Sequence, residues 1–409
     1  MLDIRVIESS AFIAAPLAGL TLAQLGAEVI RVEMNGGGMD YGRLPVMPSG
    51  RSLYWTGLNR GKRSIALDLR RPEGQELVRE LAMAGGERGG ILLTNIVTSW
   101  LSAASLCARA DMISCTIEGN GDGSTAVDYT VNCASGYPMM TGGDAKAPVN
   151  HVLPAWDIAC GFQAALAIVA AVERRRRTGQ GAQLRLALSD VAFSMLSHLG
   201  ISAEAELLQR DRPALGNYIY GAFGRDFQTA DRERVMVAAI SSGQWTALVR
   251  ACDREQELAE LERSLGLQFH REAHRYEARE AIAAVLEPWF AAHALAQVRE
   301  CFDQHRVCWG PYHSTRALFT DDPRVGLSNP MWELIQTPGV GMHRSAGTPI
   351  RCDGEERARL TAAPLLGADT DEILLGVLGL GSGEVGRLHD AGVVAGPDKA
   401  DPTLRQVRA

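Results

Sequence analysis

Residues 150 to 190 read NHVLPAWDIACGFQAALAIVAAVERRRRTGQGAQLRLALSD, and a helix mouth, a helix and a strand follow one another in them. Asp157 comes after Pro154-Ala155-Trp156 and before an Ala-rich apolar run from Ala164 to Val172. That is where a helix N-cap accepts a bond from an orphan backbone N–H. Arg174 to Arg177 fill the last turn, where cations suit the negative end of the helix dipole, and Thr178-Gly179 closes it. After Gly181 the period changes, Leu184, Leu186 and Leu188 alternating with Arg185 and Ala187 as in a strand. The stretch predicts one carboxylate at the mouth of a helix that packs on a sheet. On that ground alone a plain capping role for Asp157 is the simpler reading.

Outward from there, residues 2 to 33 spell a β-α-β unit: Ile4 to Ile7, then APLAGLTLAQLGA, then Glu28 to Val32, with Gly26 stopping the helix. A parallel sheet and an α/β fold are expected. The turn after the first strand, Glu8 to Phe12, lacks the G-x-G-x-x-G that lets a dinucleotide pyrophosphate approach the backbone, which disfavours a nicotinamide or flavin. Further strands are predicted at Ile65 to Leu69, Ile91 to Asn95 and Met112 to Ile117, with a helix from Pro72 to Met83. Gly36, Gly37 and Gly38 make either a mobile loop or a close approach to a ligand. Arg60, Lys62 and Arg63 form a charge run that is either a solvated face or a phosphate-sized patch.

A chain of 409 residues is too long for one ordinary core. We expect a large Rossmann-like domain from residues 1–203 and 325–409, and a smaller α+β domain from residues 204–324 that contains the segment Asn217 to Asp226 and helical stretches rich in Glu, Arg and Ala. The polar tail after Gly396 is expected to fray. A formal net charge of -7 argues against a nucleic-acid partner or a membrane surface, so an anionic ligand needs a local basic patch. The start Met1-Leu2-Asp3-Ile4-Arg5 shows no basic segment ahead of an apolar core, and the Ala164 to Val172 run is shorter than the ~20 residues of a membrane span. Eight cysteines occur without a C-x-x-C pair, which reads as reduced thiols in a cytoplasmic protein with no zinc site.

Several blocks, in order along nearly the whole chain, resemble the class III CoA transferases, which include carnitine and formyl-CoA transferases and α-methylacyl-CoA racemase. They are Ala15-Pro16, Leu25 to Glu33, Asn59 to Ile65, Ser135-Gly136, Asp157-Ile158, Arg177 to Gly181, Ala363 to Gly367 and Asp369 to Asp371. The resemblance implies a Rossmann-like domain plus a small domain, two chains interlocked like links, and Asp157 as the catalytic nucleophile. The chain departs from the family at Met34-Asn35, Ile13 and Val127, which argues against a formyl or oxalyl substrate and against racemisation. SAFIAAPLAGLTLAQLGA, GGGMDY, GLNRGKRSIALD, NHVLPAWD and GNYIYGAFGRDF are similar to a branch that moves CoA between the two carboxyl groups of one branched unsaturated dicarboxylate.

On this resemblance the expected enzyme is an intramolecular CoA transferase whose Asp157 forms an aspartyl-CoA thioester, with no cofactor beyond the CoA its substrate carries. An intermolecular transferase for another dicarboxylate, using the same Asp157, and a non-catalytic CoA-ester binding protein stay open. Arg60, Lys62 and Arg63, helped by Asn95 and by Gly36, Gly37 and Gly38, are the candidates for holding CoA. The Gly36 to Gly38 loop and the Thr141-Gly142-Gly143 turn are candidate oxyanion donors. Arg43 and Arg225 are candidates for clamping the far carboxylate. His151 and His198 are read as packed or surface residues that the chemistry does not require.

Overall fold

The computed structural model describes residues 2–86, 88–106, 109–354 and 356–406. The chain divides into two compact units, Met1–Ser135 with His151–Ala203 and Pro323–Ala409, and Gly136–Asn150 with Glu204–Asp322. Residues 136–150, which the sequence reading leaves in the large domain, thus group with the second unit.

In chain order the elements are β1 Arg5–Ser9, α1 Ala14–Gln24, β2 Glu28–Met34, α2 Leu53–Leu58, β3 Arg63–Leu67, α3 Pro72–Met83, β4 Ile91–Thr94, β5 Ile113–Glu118, α4 Asp128–Ala134, α5 Tyr137–Met140, α6 Ala155–Thr178, β6 Ala182–Ala187, α7 Leu188–His198 and α8 Ile201–Leu208. There follow β7 Phe223–Gln228, β8 Arg234–Ala239, α9 Ser242–Ala251, α10 Glu255–Leu265, α11 Glu272–Glu277, α12 Arg279–Ala292, α13 Leu295–His305, β9 Trp309–Pro311 and α14 Thr315–Asp321. The chain ends with β10 Trp332–Thr337, β11 Gly341–Ala346, α15 Thr370–Gly376, α16 Ser382–Asp390, β12 Val394–Ala395, α17 Pro397–Ala400 and α18 Pro402–Gln406.

The first unit is built on a seven-stranded sheet in the order β12-β3-β2-β1-β4-β5-β6. All neighbours are parallel except β12, which runs antiparallel to β3 at one edge. The apolar runs of β1, β2 and β4 suit strands covered on both faces, and their burial is nearly continuous. β6 lies at the other edge, and its alternation turns Leu184 and Leu186 inward and Gln183 and Arg185 outward. Leu188 does not extend that strand, because α7 begins there. In this doubly wound order the direction of winding reverses between β1 and β4, and ligands of open α/β sheets bind beyond the carboxyl ends of the strands at such a point.

α6 lies along α1, and Gly161 makes the close approach possible: a Cβ there would sit 2.7 Å from the Ala14 carbonyl oxygen. Gly179 closes α6 in the left-handed region, as read from the sequence, and its N–H donates to the Arg175 carbonyl at 2.8 Å. On the side of α3 and α15, Ile30, Ile65 and Leu67 pack with Leu77, Leu81 and Ile373.

Over residues 397–406 the tail does not fray as expected. Asp401 is fully buried and accepts the Tyr41 hydroxyl at 2.6 Å and the Leu366 N–H at 3.0 Å, with Arg51 Nη1 at 3.1 Å. Arg51 is itself fully buried, and an unpaired guanidinium there would be expensive, so the polar tail folds inward to supply its counter-ion. The second unit carries the antiparallel sheet β7-β8-β9 and the helices α9 to α13. Its core includes Phe223, Phe302 and a Phe227–Phe290 stack with centroids 4.2 Å apart.

Candidate active site

The mouth of α6 differs from the expected one in a way that matters. Asp157 is the third residue of the helix, and the cap position is Pro154, whose side chain accepts nothing. The orphan donors are taken by a carboxylate from elsewhere: Asp128 Oδ2 accepts the backbone N–H of Trp156 at 2.7 Å and that of Asp157 at 3.1 Å. Asp128 opens α4 and is 2% exposed. Its other oxygen, Oδ1, lies 2.8 Å from His151 Nε2. The Trp156 indole donates to Asn132 Oδ1 at 3.1 Å, which ties α4 to the same turn. Capping is thus done for Asp157 and not by it.

The Asp157 carboxylate is half-buried, and no hydrogen-bond donor among the described residues reaches it. Burial pushes its pKa up to about 7, the Asp128 charge adds to the rise, and the Arg43 guanidinium opposes it. Arg43 stands over two aromatic faces, 5.4 Å from the Phe12 ring centroid and 5.0 Å from that of Tyr54. Burial raises the Tyr54 hydroxyl to about 12, against Arg43 and with Asp157 and Asp40. Arg43 has no carboxylate within ion-pair distance among the described residues.

The loop after β1 shapes this cradle from below. Phe12 is a non-glycine residue at φ 65°, a conformation that costs energy and needs support. Support comes from Asp40 Oδ2, which accepts the Phe12 N–H at 3.0 Å, and from Asn95 at the end of β4. Asn95 holds Ala11 on both sides, Oδ1 accepting its N–H at 2.9 Å and Nδ2 donating to its carbonyl at 2.7 Å. Asp40 belongs to a buried ionic cluster in which Arg31 donates to Glu8 and Ser10 at 2.8 Å and also to Glu33, and lies 3.3 Å from Asp40 Oδ2. Asn95 therefore follows the carboxyl end of β4, and its amide is spent on the loop.

Two expectations about CoA need correction. Lys62 is not presented to solvent: its ammonium is buried 2.9 Å from Glu8 Oε1, the Pro16 carbonyl and Asn59 Oδ1 alike, and burial brings its pKa down to about 8. Arg63 is held by Glu28 at 2.9 Å and Glu372 at 3.1 Å. Arg60 donates to Ser345 and, at 2.8 Å, to the Ala346 carbonyl. The three charges point to different partners: Arg60 and Lys62 lie in the turn region before β3, and Arg63 is its first residue. The triple glycine is a turn: the Gly36 N–H donates to the Ala400 carbonyl at 3.0 Å and the Gly37 N–H to Met34 at 2.9 Å, so neither is free for an oxyanion. A Cβ on Gly37 would lie 2.5 Å from the Tyr41 ring, which explains the glycine.

Arg225 and the Thr141-Gly142-Gly143 turn belong to the second unit. There Arg225 donates to Glu287 at 3.2 Å and to the Tyr218 hydroxyl at 3.0 Å, while the Gly142 carbonyl accepts the Gly216 N–H at 2.6 Å. His198 is exposed at the end of α7. The residues that sequence reasoning missed are Asp128, Phe12 and Tyr54, while His151 was named there and set aside. Asp128 and Asp157 are 29 positions apart, a separation with no local period, so nothing in the sequence joins them.

Chemically, the arrangement offers, among the described residues, a donor-free carboxylate of raised basicity and a guanidinium that stands over two aromatic rings. It suits covalent attack on an acyl group that carries a second negative charge.

The sequence model of the family described as CoA-transferase family III matches residues 1–370. The chain is 50% identical over 402 residues to the 2-methylfumaryl-CoA isomerase of Chloroflexus aurantiacus (strain ATCC 29366 / DSM 635 / J-10-fl), covering 97% of this chain and 98% of that protein. It is 28% identical over 408 residues to the succinyl-CoA:glutarate CoA-transferase of Homo sapiens, covering 96% of this chain and 89% of that protein. Among solved structures, that of a CAIB/BAIF family protein from Brucella suis matches with a TM-score of 0.73 at 26% identity, over 90% of this chain and 97% of that one.

Proposed function

This chain belongs to CoA-transferase family III, and from that premise we propose that it isomerises 2-methylfumaryl-CoA (mesaconyl-CoA) by moving CoA from one carboxyl group of the acid to the other. The observation that carries the reading is the Asp157 carboxylate, raised to about 7 and left without a donor, facing the charge of Arg43. Identity of 50% along nearly the whole of both chains supports the choice of substrate.

Asp157 attacks the thioester carbon, forming a C–O bond to the acyl group and releasing CoA as thiolate, which leaves a mixed anhydride. The thiolate then attacks the aspartyl carbonyl, giving an aspartyl-CoA thioester and the free dicarboxylate. The other carboxylate of that acid attacks the aspartyl thioester and expels the thiolate again. The thiolate closes the cycle on the acid's acyl carbon, and Asp157 returns as a carboxylate. Every step exchanges one acyl bond for another with no change in oxidation state, so the chemistry asks only for position and a dry site.

Arg43 is the proposed clamp, since a guanidinium with no carboxylate partner among the described residues can hold the far carboxylate while the acid turns. In this reading CoA binds beyond the ends of β1 and β4, near the loop that Asn95 holds. On the same reading the working particle is an interlocked homodimer in the cytoplasm. In support, α6 is long and apolar enough to cross a membrane by length and composition, yet only 44% of its most apolar window is buried within the chain. Phe162 and Leu166 on it are 52% and 69% exposed, as an apolar helix covered by a second copy would show when alone.

The test is purified protein supplied with 2-methylfumaryl-CoA and mass-labelled free 2-methylfumarate. Isomerisation is expected with label excluded from the CoA ester, no turnover with Asp157→Ala, and label entering with Arg43→Ala as the acid escapes. Label entering the wild-type product as fast as isomerisation would replace this reading with the intermolecular transferase.

A further inference from the structure

We propose that Asp128 and His151 are positioning residues for the nucleophile: Asp128 takes up the N–H donors at the mouth of α6 so that the Asp157 carboxylate keeps none, and His151 holds Asp128 in that orientation. The inference rests on the reading of Asp157 as the nucleophile and goes beyond it.

A carboxylate in the first turn of a helix ordinarily gains from the free N–H groups and the positive end of the dipole, and each such bond makes it less basic and less nucleophilic. Asp157 has that position in the chain and, among the described residues, none of the bonds. The two donors within its reach, its own N–H and that of Trp156, both end on Asp128 Oδ2, at 3.1 and 2.7 Å. Asp128 can do this because it is 2% exposed and because its second oxygen is fixed 2.8 Å from His151 Nε2, a ring that lies between Tyr129 and Trp156 with centroids 6.1 and 6.4 Å away. The same carboxylate places a like charge near Asp157, so withdrawal of donors and repulsion act in one direction.

The other groups facing Asp157 are few. Arg43 opposes the effect, Tyr54 on α2 is itself raised by Asp157, and Cys160 lies one turn along α6. α1 meets this end of α6 with Ala14 and Leu17, neither of which titrates, and Asp190 on α7 turns toward Gly121. Asp128 is thus the charged residue whose change moves Asp157 without touching the acyl group, and His151 acts one step further back.

The test uses the full-length protein and reads kcat, KM and the pH profile of kcat/KM for 2-methylfumaryl-CoA. Asp128→Asn keeps the shape and an acceptor for the N–H groups but removes the charge. Its acid-side midpoint is expected to fall by about one unit and kcat at pH 8 by about 10-fold, with KM unchanged. His151→Ala is expected to lose kcat by about 10-fold, and His151→Gln, whose amide can reach Asp128 Oδ1, to recover most of it. A role in stability alone would lower the melting temperature and leave the midpoint in place, and that result overturns the proposal. If Asp128→Asn fails to fold, the His151 pair decides: equal loss in both variants, or none in either, overturns it. Asp157→Ala is run beside them. An active Asp157→Ala sinks the reading of the nucleophile itself, whereas a dead one with an unmoved Asp128→Asn midpoint sinks only the positioning role.

Discussion

At Asp157 the protein keeps a carboxyl group with a pKa of about 7, raised from the ordinary 3.8 first by burial and then by Asp128. The sign of its effect on stability follows from linkage. Because the folded chain binds this proton more tightly than the unfolded chain, the group stabilises the fold at low pH, and that contribution is lost as pH rises from about 4 to about 7. Asp157→Asn should therefore be at least as stable as the wild type. The gain in melting temperature should be absent near pH 4 and on the order of 1–3 °C near pH 8, measured by differential scanning calorimetry at both values. An equal gain at both would mean that the charge is not its source. That a carboxylate stands at this helix mouth was legible in the sequence. That it is spared from capping was not, because the competing carboxylate of Asp128 arrives through tertiary contact.

α6 is the element that turns this local chemistry into a fixed geometry, and its register against α1 is set by Gly161, one turn beyond Asp157. Gly161→Ala would bring a methyl group to 2.7 Å from the Ala14 carbonyl oxygen and 3.2 Å from Leu17 Cβ, with backbone on one side that cannot give way cheaply. The helices should part slightly, at about 1–3 kcal/mol in stability by denaturant titration, and activity should fall with them. A variant as stable as the wild type would show that the contact is loose. The helix itself, its arginine-rich end and the glycine stop could be read from period and caps, since those forces act within one turn. The ends of β3 and β6 were each misjudged: β3 begins at Arg63, where pairing with β2 reaches further than the apolar run, and Leu188 continues the alternation but enters α7.

For the whole molecule the open apolar face of α6 is the feature that a single chain leaves unexplained, and Phe193 on α7 adds to it at 43% exposed. If two chains are linked as rings, they cannot part without unfolding. Sedimentation should give the dimer mass at the lowest concentration that can be measured, and two differently tagged preparations should exchange no subunits until they are denatured and refolded together. A stable active monomer, or ready exchange in native buffer, would remove the interlocked dimer.

The sequence by itself determined the α/β class, the β-α-β entry, the placing of Asp157 at the head of a long helix, and, through ordered motifs along residues 1–370, the family. These follow from hydrophobic period, capping preference and residue order, all of which are local or linear. Only the tertiary structure decided which charges are available. Lys62 reads as part of a charge run in the chain, yet it lies buried against Glu8, as Arg31 does against Glu33 and Arg51 against Asp401, while among the described residues Arg43 has no carboxylate within ion-pair distance. The physical reason is desolvation: a buried charge must find its partner wherever the fold brings one, and that pairing spans up to 350 positions of sequence, a distance over which no pattern in the chain carries information.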